Sequence, residues 1–227
     1  MRRKPCPWCA RLTWRWISFV KNLYTKERMN PIAMKENKFK HIMIDTETLG
    51  RTPGSVVRSV AAIEFDPQTG ETGRRKVWKI DLADSIRYGF RIEASTLKWW
   101  MMQSDAARRN FVEGAETLLV DFMEELMDFM TETDENGDFT LWCLQLDFDV
   151  AMLRSMYSWY NQHVNGSDAE VLPWNFRKVR DVRPYMDALT EAGLLPPKVA
   201  DRHTPMADCL AQINYVHLVI ENNLVIR

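Results

Sequence analysis

HIMIDTETLG, residues 41–50, is an apolar run that ends in two acidic side chains one residue apart, Asp45 and Glu47, followed closely by a glycine. A short apolar run closed by a turn residue reads as a buried strand. Side chains at i and i+2 of a strand point to one face, so both carboxylates reach the same point just beyond the strand's end. Hard divalent cations such as Mg2+ or Mn2+ take oxygen ligands of this kind and serve as electrophiles in phosphoryl transfer. A solvated polar strand end has the same spacing, so the pair alone does not define a site, and the rest of the chain has to decide.

The 227 residues suit one sizeable domain, or one domain with an appendage, and 46% hydrophobic residues with nine Trp supply a core. Lys and Arg number 30 against 31 Asp and Glu, a net charge of −1. No global basic field attracts nucleic acid, so any polyanion site must be local, through metal ions or clustered Arg. Cys6, Cys9, Cys143 and Cys209 form no evident disulfide framework, and two of them fall in predicted core elements, so a reducing cytoplasm is expected. The longest strongly apolar run is far short of the ~18 residues that a membrane span needs, and no membrane partner is expected.

Residues 1–35 differ in character from the rest of the chain. Residues 1–28 carry eight Lys or Arg and one acid, Glu27, with Trp8, Trp14, Trp16, Phe19 and Tyr24 interleaved. The apolar stretch 16–20 is too short for a signal-peptide core and lacks a small-residue cleavage site after it. Three readings compete: a disordered or non-native extension with alternative starts at Met29 or Met34, a basic amphipathic helix touching nucleic acid or a membrane surface, and a redox or zinc motif at Cys6-Pro-Trp-Cys9. The first is the expectation, which leaves residues 36–227 as the functional domain.

Beyond Lys38 the pattern is regular. Residues 56–65 read as a second strand, 66–73 as a turn and 74–81 as a third strand, a hairpin beside the first. Residues 95–111 read as a helix capped by Ser95, and residues 118–130 have apolar positions at helical spacing. After a turn at 134–138, residues 139–144 form a fourth strand that leads into a helix starting near Phe148. Residues 176–182 read as a fifth strand, 183–193 as a helix ending at Gly193, and 205–223 as a last helix. The expected fold is α/β, a mixed five-stranded sheet flanked by helices: a three-strand antiparallel meander plus two parallel strands.

That order fixes where the acids go. Asp45 and Glu47 end the first strand, and parallel pairing of strands one and four brings Asp149 to the same edge. Pro205 suits a first helical turn, and Asp208, one turn in, can face the sheet next to His203. Four carboxylates and one histidine converge.

The series Asp45-x-Glu47, Phe148-Asp149 before a helix, and His203-x4-Asp208 resembles the three motifs of the DnaQ-like, or DEDDh, 3′-5′ exonucleases, which have a ribonuclease H-like fold. The resemblance runs from about residue 40 to 222. Within that superfamily the stretches IDTETLG, STLKWWMMQSDAAR, WCLQLDFDVAML and VRDVRPYMD look similar to the phage exonuclease A and Rv2179c-like exoribonuclease group. Gln145 departs from the pattern, since relatives often have Asn four residues before the second-motif Asp.

The resemblance implies a two-ion site of Mg2+ or Mn2+ held by Asp45, Glu47, Asp149 and Asp208, with Asp45 bridging, and a neutral His203 that takes a proton from the attacking water. It implies single-stranded RNA or DNA 3′ ends as substrate, nucleoside 5′-monophosphates as product, and a possible homodimer. Thr46, Thr48 and Leu49 lie close enough to meet the terminal nucleotide, Leu49 as a wedge, with a tight packed turn as the alternative. Phe148 flanks the same point. Trp99 and Trp100 either stack on bases or belong to the core, and as neighbours on a helix they cannot face the same way. Arg108, Arg109, Arg180 and Arg183 are phosphate contacts or solvated charges, and Asp147 is a rival ligand to Asp149. A silent nucleic-acid-binding protein with the same fold is the alternative function.

Overall fold

The apolar run at 41–44 forms the central strand of a five-stranded sheet. In the computed structural model, which describes residues 38–167, 171–197 and 204–226, β1 (His41–Thr48) continues three residues past Asp45. The expectations for residues 1–35 and for His203 lie outside the described residues. β1 pairs antiparallel with β2 (Val57–Phe65), which pairs antiparallel with β3 (Thr72–Lys79). On its other side β1 is parallel to β4 (Thr140–Cys143), and β4 is parallel to β5 (Val179–Asp181). The order β3-β2-β1-β4-β5 is the meander plus two parallel strands that the pattern predicts, a ribonuclease H-like sheet.

Alternation along β1 divides the core into two layers. Ile42 and Ile44 pack with Trp78, Phe122, Leu126 and Tyr157, the last three carried by α4 (Leu119–Thr133) and α5 (Ala151–His163). Met43 packs on the opposite face with Leu189, Ile213 and Val216, from α6 (Arg183–Glu191) and α7 (Pro205–Glu221). Asp45 and Glu47 are in phase with Met43 and so belong to the α7 side. Ala61 lies opposite Asp45 across the ladder, and its small side chain lets α7 approach until the Cys209 Sγ is 3.8 Å from the Ala61 carbonyl.

Two charges buried in β2 are fully engaged. Arg58, 1% exposed, donates to the carbonyls of Phe111, Ile80 and Val112 at 2.6, 2.8 and 2.8 Å and pairs with Glu116. Glu64 accepts from Arg74 Nη2 at 2.6 Å and Thr133 Oγ1 at 2.7 Å. Buried ions persist only with such partners.

Three expectations are corrected. Residues 95–111 form two helices, α2 (Ala94–Met101) and α3 (Asp105–Val112). Ser104 rather than Ser95 is a cap: its Oγ accepts from the Ala107 N–H at 3.2 Å, while Glu93, the residue before α2, makes no side-chain capping bond. Arg108 Nη1 then takes the carbonyls of Met101 and Gln103 at 2.9 and 2.6 Å, which satisfies the acceptors freed by the break. Residues 176–182 are a strand only over Val179–Asp181, because Asn175 accepts from the Arg177 N–H at 3.0 Å and draws Phe176–Lys178 into a 3₁₀ turn. Finally, α1 (Leu82–Arg87) was not expected. Its Asp84 accepts from the Leu119 N–H at 2.8 Å and so caps α4 from outside that helix. Ser104→Ala is expected to lower stability by about 1 kcal/mol, whereas Ser95→Ala changes it by less than about 0.5 kcal/mol, as read by urea denaturation of both variants.

Candidate active site

The end of β1 brings the acids together. One carboxylate oxygen each from Asp45, Glu47 and Asp208 lies within 4.8 Å of the others. Asp208 comes from the first turn of α7, where Pro205 starts the helix and the Thr204 hydroxyl accepts from the Ala207 N–H at 3.4 Å. One turn further, Gln212 is 2% exposed, and its Nε2 donates to Asp45 Oδ1 at 2.8 Å. The Gln212 Oε1 is buried without a hydrogen-bond partner. A register shift between Glu47 and Thr48 in the β1–β2 ladder ends the regular strand at this point, as bulges beside sites commonly do.

Asp149 arrives from the neighbouring strand. β4 stops at Cys143, and Leu146–Val150 form a π-helical turn before α5, a local widening that recurs at functional sites. The turn buries Asp149 to 4% exposure. Its Oδ1 accepts from the Thr46 N–H at 3.1 Å and from the Thr46 hydroxyl at 2.7 Å. Asp147, the rival ligand, is exposed and pairs with Arg183 at 3.2 Å, outside the cluster of Asp45, Glu47 and Asp208.

Packed acids shift one another. Burial, then the charges of Asp149, Glu47 and Asp208, push the Asp45 carboxyl well above the usual range, against a smaller downward pull from Gln212. Burial with Asp208 and Asp149 raises Glu47 to about 8. Burial raises Asp149 to about 6, against its bonds from Thr46. Convergent carboxylates with raised proton affinity and hard oxygen donors are the chemistry that a divalent cation satisfies, and the donor set fits Mg2+ or Mn2+.

A cleft of about 670 Å³ reaches the cluster at Glu47, the one of these acids that lines it. Thr46, Glu47, Thr48 and Arg51 line it from β1 and the turn after it, Ser95, Thr96, Trp99 and Trp100 from α2, and Gln145, Asp147 and Phe148 from the π turn. The two tryptophans divide the roles left open by the sequence. Trp100 is 4% exposed, donates from Nε1 to the Thr48 carbonyl at 2.9 Å and packs on Phe111 with ring centroids 4.1 Å apart. Trp99 is 43% exposed and stands edge-on to Trp100 at 5.0 Å, so it offers its ring to the cleft. Leu49 is 3% exposed within the core, which corrects the expectation of a wedge. The Thr48 hydroxyl is turned to the Gly50 carbonyl at 2.6 Å.

Of the expected phosphate contacts, Arg108 and Arg180 bind backbone carbonyls of their own neighbourhoods. Arg183 pairs with Asp147 and Asp181, and neither these nor exposed Arg109 lines the cleft. Two residues were missed. Gln212 follows Asp208 by four positions, the spacing that shares a helix face, and this signal was available. Arg51 gave none beyond its nearness to β1.

Residues 40–220 match the model of the Rv2179c-like 3′-5′ exoribonuclease domain. An exodeoxyribonuclease of Enterobacteria phage T4 is 27% identical over 161 residues, which are 65% of this chain and 70% of that protein. E. coli exonuclease I in complex with a dT13 oligonucleotide superposes with a TM-score of 0.51 at 18% identity, over 79% of this chain and 40% of that one. Cell-death related nuclease 4 does so with a TM-score of 0.50 at 11% identity, over 82% and 65%. The chain thus spans about 40% of the exonuclease I length, and likeness at such identity is one of fold. No helix among the described residues is long and apolar enough to cross a membrane.

Because Glu47 is raised from 4.5 to about 8 and Asp149 from 3.8 to about 6, the folded chain holds protons that the unfolded chain has released. The stability these groups contribute is present below the unfolded values and is lost as pH rises through about 6 and then about 8. Mn2+ or Mg2+ replaces those protons, so the cation-induced rise in Tm grows from about pH 5 to about pH 8. At an ion concentration about 100-fold over Kd the added stability reaches about 2.7 kcal/mol, read by thermal denaturation in EDTA and in Mn2+. Gln212→Leu is expected to weaken Mn2+ affinity about tenfold by releasing Asp45, read by calorimetric titration, with Gln212→Glu failing to restore it.

Proposed function

The chain belongs to the Rv2179c-like 3′-5′ exoribonuclease domain family, and we propose that it removes nucleoside 5′-monophosphates one at a time from the 3′ end of single-stranded RNA or DNA. The observation that carries this reading is the convergence of Asp45, Glu47 and Asp208 within 4.8 Å, with Glu47 lining a cleft that an exposed tryptophan walls. Asp45, Glu47 and Asp208 would hold one divalent cation, and Asp45 with Asp149 a second. When bound, such cations stabilise charge on the attacking water and on the leaving 3′ oxygen of an in-line displacement.

The remaining work falls to side chains. Gln212 fixes the rotamer of Asp45, and Thr46 fixes Asp149 through its N–H and hydroxyl. Both acids are therefore oriented before substrate arrives, which lowers the reorganisation needed during reaction. His203, carried by the resemblance, is the proton acceptor for the attacking water; an imidazole with an ordinary pKa near ~6.5 is neutral at mildly alkaline pH. Trp99 supplies a face on which the base near the 3′ end stacks, worth about 1–3 kcal/mol. Thr48 and Phe148 complete the walls around the terminal nucleotide.

Incubation of 5′-labelled single-stranded RNA and DNA with Mg2+ or Mn2+ tests this. A ladder shortening from the 3′ end is expected, lost by at least about 100-fold in Asp45→Ala and His203→Ala, and the faster substrate gives the sugar preference. A folded chain that binds the cation yet shortens neither strand would leave the silent binding protein as the function. Trp99→Ala is expected to raise KM about tenfold with kcat little changed.

A further inference from the structure

We propose that Arg51 binds a phosphate of the strand held in the cleft, an assignment that rests on the exonuclease reading of the same site. Among the described residues that line the cleft, Arg51 is the one cation, alongside the acids Glu47 and Asp147. A polyanion entering past these carboxylates meets repulsion, and the overall charge of −1 provides no long-range attraction to offset it. A cation on the wall is therefore placed where the substrate's charge needs it.

The turn that presents Arg51 is built for that placement. At Gly50 a Cβ would lie 2.2 Å from the Ser55 Oγ, so glycine alone lets the chain fold back directly after Leu49. Glu93 then fastens the main chain of the turn. Its N–H donates to the Leu49 carbonyl at 2.8 Å, and its carboxylate accepts from the Thr52 hydroxyl at 2.7 Å and from the Ser55 hydroxyl at 3.5 Å. The guanidinium of Arg51 comes only to 4.0 Å from Glu93, and 76% of the side chain stays exposed. Glu93 thus anchors the backbone of the turn and leaves the guanidinium its planar fork of donors, which matches two phosphate oxygens. Other arginines differ: Arg58 and Arg74 commit several donors to buried protein acceptors.

The test compares wild type, Arg51→Ala and Arg51→Lys by fluorescence anisotropy with 5′-labelled oligo-dT and oligo-U in Ca2+ across a range of salt, together with steady-state kinetics in Mg2+. Arg51→Ala is expected to weaken binding about tenfold and to reduce the slope of log K against log salt by about 0.7, the loss of one single-strand phosphate contact. KM rises by the same factor and kcat holds, while Arg51→Lys keeps the slope and recovers part of the affinity. Unchanged affinity and slope in Arg51→Ala overturn the assignment, and so does a fall in kcat with KM unaltered. Absence of turnover in wild type sinks the exonuclease reading, and the binding slopes still decide the phosphate contact.

Discussion

Carboxylates held within a few ångströms of one another repel, and the architecture around β1 is what keeps them there. If all were ionised, each pair at such separations would oppose folding by a few kcal/mol at an effective dielectric near ~20. β1 withstands this because it is laddered on both sides, to β2 and to β4, and because its apolar residues are buried in both layers. α7 is pinned to the same strand by Ile213 and Val216, so Asp208 cannot retreat. What remains is for protons or a cation to neutralise the cluster, and the proton affinities of Asp45 and Glu47 are raised first by burial and then by this repulsion.

The same constraint separates supports from surfaces. Thr46 alternates with Asp45 and Glu47 along β1 and so points away from the α7 face, where it holds Asp149 through both its N–H and its hydroxyl. Trp100 hydrogen bonds to the Thr48 carbonyl at the point where the ladder shifts register and so holds α2 against the strand end. That contact is what turns Trp99 outward, because successive residues on a helix are about 100° apart. One tryptophan builds the wall and its neighbour faces what enters.

Most of the fold, and where the four acids Asp45, Glu47, Asp149 and Asp208 lie, could be read from sequence for identifiable reasons. Period-two alternation gave β1 its faces, the turn read at 66–73 announced the hairpin, and a strand at 139–144 followed by a helix from near Phe148 implied the parallel pairing that delivers Asp149. His203 was read from the same motif series and is carried by the resemblance alone. Where the reading failed, a local competition had overridden a pattern. The helical spacing of 95–111 is continuous, yet the Ser104 hydroxyl and the Arg108 guanidinium bind the backbone groups that a single helix would use internally. α1 has only six residues, fewer than two turns, so it leaves no period to detect. Leu49 lies so near the acids that a substrate role suggested itself, but only the three-dimensional packing shows that its side chain fills the core.

A site that must admit a polyanion into a nest of acids needs countercharge placed at short range. A domain-wide basic surface would supply attraction without direction, whereas on the proposed reading it would come from cations held at the carboxylates and from one arginine on the wall. The division has a physical consequence. Cation binding depends on deprotonating Asp45 and Glu47, so affinity for the reacting phosphate is tied to metal and pH, while the Arg51 contact depends on ionic strength alone. Substrate grip and chemistry thereby respond to different variables, although the residues that serve them lie close together on one strand and its turn.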